Sequence, residues 1–91
     1  MGAVNYEKLL SELIKPLVSR PDEVEVVTVE SGDAYVKVKV MVNKEDLGRI
    51  IGRKGRIANA IRTIAHAASV RENVRLDIDL GSEEEAMQEE N

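Results

Sequence analysis

Ninety-one residues, 43% of them hydrophobic, suffice for one small domain with a modest core. The absence of cysteine excludes disulfides and thiolate metal sites and fits a reducing compartment. No apolar run approaches the roughly 20 residues that cross a bilayer, and no basic-then-apolar leader is visible, so the expectation is a cytoplasmic protein with no membrane partner. A net charge of −4 excludes a uniformly basic surface.

Residues 4–18 read as a helix, with Leu10, Leu13, Ile14 and Leu17 at helical spacing and Asn5 as its cap. Pro16 lacks an N–H and clashes with the preceding turn, so a kink or break is expected there, followed by a turn around Ser19–Asp22. Residues 23–30 and 34–42 read as strands joined by a hairpin loop at Ser31-Gly32-Asp33. The second strand alternates cleanly, with Val36, Val38, Val40 and Val42 on one face. The first is irregular around Val27 and Val29, as a bulge would make it. Asn43 then caps a short helix running to about Ile51, and a longer helix follows to about Glu72. Its predicted buried stripe is Ile57, Ala60, Ile61, Ile64, Ala65 and Ala68. Residues 74–80 alternate again as a strand.

The predicted fold class is α+β, in two layers and in the order α-β-β-α-α-β. A three-stranded mixed sheet is covered by three helices on one face. The domain spans residues 1–80. Residues 81–91 form an acidic tail with no periodic pattern, expected to be disordered.

Between the last two helices stands Gly52-Arg53-Lys54-Gly55. Glycine accepts positive φ and lets another backbone approach closely. The free N–H groups of the helix that begins beside Gly55 face outward, where an anion would sit. Arg53 and Lys54 add charge. This pattern points to a turn that holds a sugar-phosphate backbone and does no chemistry. The charge distribution agrees: residues 44–75 hold eight cations against three acids, whereas residues 81–91 hold five glutamates and no cation. His66 reads as a surface helix residue, Tyr35 as strand surface, and Asp77 and Asp79 as the outer face of an edge strand. No metal cluster and no nucleophile–base–acid set is visible, so neither enzyme activity, a metal nor a cofactor is expected.

Ile50-Ile51-Gly52-Arg53-Lys54-Gly55 between two helices resembles the signature of the KH domain, whose loop clamps about four nucleotides. The element order resembles the bacterial, type II arrangement. Ile14-Lys15-Pro16-Leu17-Val18, Pro21-Asp22 and the run from Gly55 to Thr63 resemble the small bacterial single-KH-domain proteins of the KhpA-like group. Ala58 stands where many KH domains carry a large aliphatic residue, which makes a shallower groove wall. The resemblance implies a cytoplasmic protein that binds single-stranded RNA and acts as an RNA chaperone or post-transcriptional regulator. It also implies a homodimer, a heterodimer with a larger KH-containing RNA-binding partner, or both, and a link to cell elongation and cell-wall homeostasis.

On this reading Leu47, Ile50 and Ile51 offer one apolar side of a groove, Ile57 and Ala58 continue it, and the strand around Val38–Met41 forms the opposite wall. Gly52 and Gly55 pass the backbone. Arg53, Lys54 and Arg56 supply charge, with Arg49 and Arg62 outside them. With no Phe or Trp for stacking, affinity should be micromolar or weaker. Competing readings are duplex-DNA binding by a helix-turn-helix, single-stranded DNA binding, and a dimerising protein-interaction module that uses the first helix and the Pro16 region.

Overall fold

Asn5 opens the first helix: its side-chain oxygen accepts a hydrogen bond from the Lys8 amide at 3.1 Å. The computed structural model describes residues 4–82. Helix α1, Tyr6–Ile14, ends ahead of Pro16, and Lys15–Leu17 continues as a single 3-10 turn. The expected helix of residues 4–18 is therefore broken where proline withholds an N–H. A second 3-10 turn, Pro21–Glu23, brings the chain to the sheet.

Strands β1 (Glu25–Ser31) and β2 (Tyr35–Val42) pair antiparallel. The Gly32 amide donates to the Tyr35 carbonyl at 2.7 Å and closes the hairpin. The register slips between Thr28 and Glu30, which places a bulge at Val29. The irregular valine spacing of β1 thus has a backbone cause.

The helical run Lys44–Arg71 is interrupted by non-helical backbone at Gly52, Arg53, Lys54 and Gly55. It forms two helices, α2 (44–51) and α3 (56–71). Asn43 caps α2 through a 2.9 Å bond from the Glu45 amide. At the far end of α3, Asn73 adopts φ 56°. Its amide reaches the Val70 carbonyl at 3.1 Å, and the Val74 amide reaches Ser69 at 2.9 Å, which is a Schellman closure.

Strand β3, Arg75–Ser82, then pairs parallel to β2, giving a mixed sheet in the order β1-β2-β3. It runs beyond the expected end at residue 80 because Gly81 and Ser82 pair with Met41 and Val42. The rest of the predicted tail, 83–91, lies outside the described residues.

The helices cover one face of this sheet. Val38 and Val40 of β2, Leu10 and Ile14 of α1, Ile50 of α2 and Ile61 of α3 are shut off from solvent. Each such side chain contributes roughly 1.5–3 kcal/mol by leaving water. The stripe predicted on α3 needs correction. The buried arc runs through Ala58, Ile61, Ala65 and Ser69, while Ala60 is exposed and Ile64 is 49% exposed. At 100° per residue this is a rotation of about 75° from the expected face. The helix turns Ala58 toward the sheet, and its small side chain permits that approach.

Candidate nucleic-acid interface

The site begins with the helix that leads into the loop. Asp46, in the first turn of α2, is completely buried. Its carboxylate accepts the Ser19 amide at 2.9 Å, the Ser19 hydroxyl at 2.8 Å and the Arg20 amide at 3.1 Å. The Arg20 guanidinium spans to Asn43 Oδ1 at 3.1 Å and to Glu45 at 3.4 Å. These bonds fasten the segment before β1 to the start of α2. Burial alone would push the Asp46 carboxyl up. The hydrogen bonds from Ser19 and Arg20, with Arg49 nearby, outweigh burial and hold it below its ordinary range. From the sequence Asp46 is only a first-turn acid; its serine and arginine partners stand 27 and 26 positions away.

At the other end of α2 the backbone leaves the helix. Gly52 is extended, with φ −72° and ψ 174°. Arg53, Lys54 and Gly55 follow with φ 53°, 63° and 70°. Three consecutive residues in the left-handed region make a sharp outward turn. Positive φ was expected of the glycines, yet only Gly55 has it, and the two cations carry the rest. A non-glycine residue held there costs on the order of 1–3 kcal/mol. Arg53, Lys54 and Arg56 are exposed, and their side chains make no hydrogen bond or ion pair among the described residues. A Cβ added at Gly52 would meet nothing within 4 Å. The chain itself gives no steric reason for glycine at that position. The space beside it is open, and α3 begins just beyond.

The other expected site residues divide by burial. Arg49 and Ile51 are exposed, Ile51 by 52%, and Ile57 and Arg62 are half-buried. Leu47, Ile50 and Ala58 are core residues, exposed by no more than 5%. They present almost no surface to a ligand, because the first turn of α3 packs onto the sheet through Ala58. The strand expected as the opposite wall is also largely buried. Val38 and Val40 are wholly buried, so β2 cannot line a groove on that side.

Edge strand β3 lies beside α3 instead. Arg62 donates to the Ile78 carbonyl at 3.5 Å, and His66 Nε2 lies 3.0 Å from the Leu76 carbonyl. A carbonyl only accepts, so Nε2 carries the proton. Neither Arg62 nor His66 is simply a solvated helix residue: one helical turn apart, they cover carbonyls of the sheet edge. Their spacing of four in the helix and two in the strand was visible only once the strand was in place. On the outer sheet face the Tyr35 hydroxyl donates to Asp77 at 3.1 Å, and Lys37 and Lys39 stand opposite Asp77 and Asp79 in register. These groups form a paired polar surface. Among the described residues no group of three or more metal-ligating side chains occurs, and no helix is long and apolar enough to cross a membrane.

A helix, a hairpin, two helices broken by a Gly-x-x-Gly turn and a parallel third strand define a type II KH domain. The family model of the KhpA/KhpB KH domain matches residues 7–80. The chain is 43% identical over 74 residues to RNA-binding protein KhpA of Clostridium acetobutylicum, covering 81% of this chain and 97% of that protein. It is 40% identical over 74 residues to RNA-binding protein KhpA of Listeria monocytogenes, covering 81% and 96%. With RNA-binding protein KhpA of Bacillus subtilis the identity is 35% over 76 residues, covering 84% and 93%. The chain belongs to the KhpA/KhpB KH-domain family.

Proposed function

We propose that this protein binds single-stranded RNA without catalysing a reaction, and that it acts as an RNA chaperone or post-transcriptional regulator. The observation that carries this reading is the left-handed turn Arg53-Lys54-Gly55. It is strained, it projects two cations whose side chains have no partner among the described residues, and it stands next to a glycine with open space where a Cβ would be. Strain at exposed positions that make no contacts of their own is consistent with a turn shaped for a ligand. The ribose-phosphate chain would pass Gly52, with Arg53, Lys54 and Arg56 on its phosphates. Ile51 and Ile57 would offer apolar contact to the bases, and the β3 edge would border them. The relatives are named as RNA-binding proteins, which agrees with this chemistry.

The test is fluorescence anisotropy with a labelled single-stranded RNA of ten nucleotides, against single-stranded DNA and duplex DNA of matched length. Without aromatic stacking, the expected RNA affinity is on the order of micromolar. Binding should fall with salt at a log–log slope of about −2, as a few phosphate contacts at about −0.7 each require. Preference for duplex DNA would overturn the reading.

Weak binding by one domain also favours a second copy or a larger KH-containing partner, through effective concentration. Leu17 and Ile64, exposed by 42% and 49%, supply apolar surface on the helical layer for such an association. Sedimentation of the wild type against Leu17→Asp should show a shift to smaller mass. An unchanged distribution rules this face out.

A further inference from the structure

A cavity of about 560 Å³ opens at the end of α3 away from the Gly52–Gly55 turn. Three segments meet around it: the start of α1, the β1–β2 hairpin and the connection from α3 into β3. Its volume lies within the range of small-molecule sites. Tyr6 is what sets it apart. The residue lines the cavity and is 7% exposed, and its hydroxyl is the one buried side-chain polar group among the described residues with no hydrogen-bond partner. A buried hydroxyl without a partner is destabilising, and native structures rarely leave one. Burial pushes its pKa up and the Glu72 carboxylate adds to that, so the phenol stays neutral and keeps a lone pair to offer.

The charge around that hydroxyl has one sign. Glu7, Asp33 and Glu72 line the cavity, and no Lys, Arg or His does. Glu7 Oε2 takes the Thr28 amide at 2.9 Å and the Thr28 hydroxyl at 2.6 Å, and Glu72 Oε1 takes the Val4 amide. The second oxygen of each, and both oxygens of Asp33, make no hydrogen bond among the described residues. Glu72 also caps the C-terminal end of α3, where the helix dipole adds negative potential. A single metal ion does not answer these features, because no three acids among the described residues converge closely enough to hold one. The carboxylates come from three separate segments, and the same wall carries Val36 and Val74. Separated negative charges on a partly apolar wall match a flexible chain of methylenes that carries several ammonium groups.

We propose that this cavity binds a short aliphatic polyamine. One ammonium group donates to the Tyr6 hydroxyl oxygen and supplies its missing hydrogen bond. The others meet Glu7, Asp33 and Glu72, while the methylenes lie on Val36 and Val74. The occupant ties α1 to the hairpin and to the end of α3, so it stabilises the folded chain by mass action. At 1.5 Å per residue α3 puts roughly 24 Å between this cavity and the Gly52–Gly55 turn, so the two sites are separate.

The experiment titrates RNA-free full-length protein with spermidine and, at matched ionic strength, with magnesium chloride. With spermidine the amide resonances of Tyr6, Gly32, Asp33, Glu72 and Val74 should shift saturably, and those of Gly52–Gly55 should stay in place. The dissociation constant should be on the order of 200 μM, as a ligand of about ten non-hydrogen atoms allows. Tyr6→Phe removes only the unpaired oxygen. It should leave the melting temperature unchanged or slightly higher and weaken spermidine about five-fold. Asp33→Asn/Glu72→Gln keeps an acceptor for the Val4 amide and should weaken binding at least about ten-fold. The charge-matched Asp22→Asn/Glu25→Gln, away from the cavity, should stay within about two-fold. No saturable shift in the wild type, the same shifts with magnesium, or an equal loss in the control pair overturns the inference. Undiminished binding by Tyr6→Phe also overturns it, since the hydroxyl is what distinguishes this cavity from an acidic surface. Because the titration contains no RNA, its failure leaves the reading of the Gly52–Gly55 turn untouched.

Discussion

The two ends of α3 are both made by left-handed backbone, and they differ in what holds it there. At the C-terminal end a single residue, Asn73, adopts φ 56°. Asparagine tolerates that region, and the turn closes two backbone hydrogen bonds, to Val70 and Ser69. At the N-terminal end three residues in a row are left-handed, two of them long cations whose side chains have no partner among the described residues. One end is a stop signal stabilised by the chain itself. The other stores conformational free energy at an exposed surface. The difference teaches where to look for a ligand: a costly backbone conformation without a local compensation singles out this end of the helix for the binding test.

The sharpest way to break this contrast is to reverse the charges of the open end. Replacing Arg53 and Lys54 with aspartate should reduce RNA affinity at least about 30-fold, since two phosphate contacts become repulsions. The melting temperature should move by no more than about 2 °C, as no contact within the fold is lost. Retained affinity in that variant would show that the strain has another cause.

Removing the anchor at the opposite end of α2 should invert the pattern. Asp46→Ala leaves the Ser19 and Arg20 donors without their acceptor and should cost roughly 2–4 kcal/mol by denaturant melts, with RNA affinity of the folded fraction within two-fold of wild type. Acid sensitivity should follow the same group. Folding lowers the Asp46 pKa from its ordinary 3.8, so its contribution is complete above that value and fades as pH falls through the lower folded value. Asp46→Asn should therefore flatten the acid limb of the stability profile, and an unchanged limb would assign it to other carboxylates.

The two glycines separate conformation from access. Gly55 lies at φ 70°, so Gly55→Ala should destabilise by about 1 kcal/mol. Gly52→Ala adopts φ −72° without strain and meets no neighbour within 4 Å, so stability should be unchanged or slightly improved while RNA affinity falls about ten-fold. Equal binding by both variants would refute close approach at Gly52. The smallest effect is expected at the closed end, where Asn73→Gly should be neutral or stabilising by a few tenths of a kcal/mol and leave RNA binding alone.

Much of this architecture is written locally. Asn5 and Asn43 cap helices because a short polar side chain reaches back to an amide in the first turn, and Pro16 breaks a helix because it has no N–H. Alternating valines make β2 a strand with one buried face, and two glycines around two cations mark the loop. Each is a relation between residues a few positions apart, so the element order and the position of the turn between α2 and α3 follow from the chain alone. Tertiary structure decided the relations that span the fold. It turned α3 so that Ala58 meets the sheet and Ile64 does not, and it withdrew Leu47 and Ile50 from the surface. It set the edge of β3 beside α3, and it brought Ser19 and Arg20 onto Asp46. Those outcomes depend on how rigid elements share one limited core, and periodicity along a single element carries no information about which flank its neighbours leave uncovered.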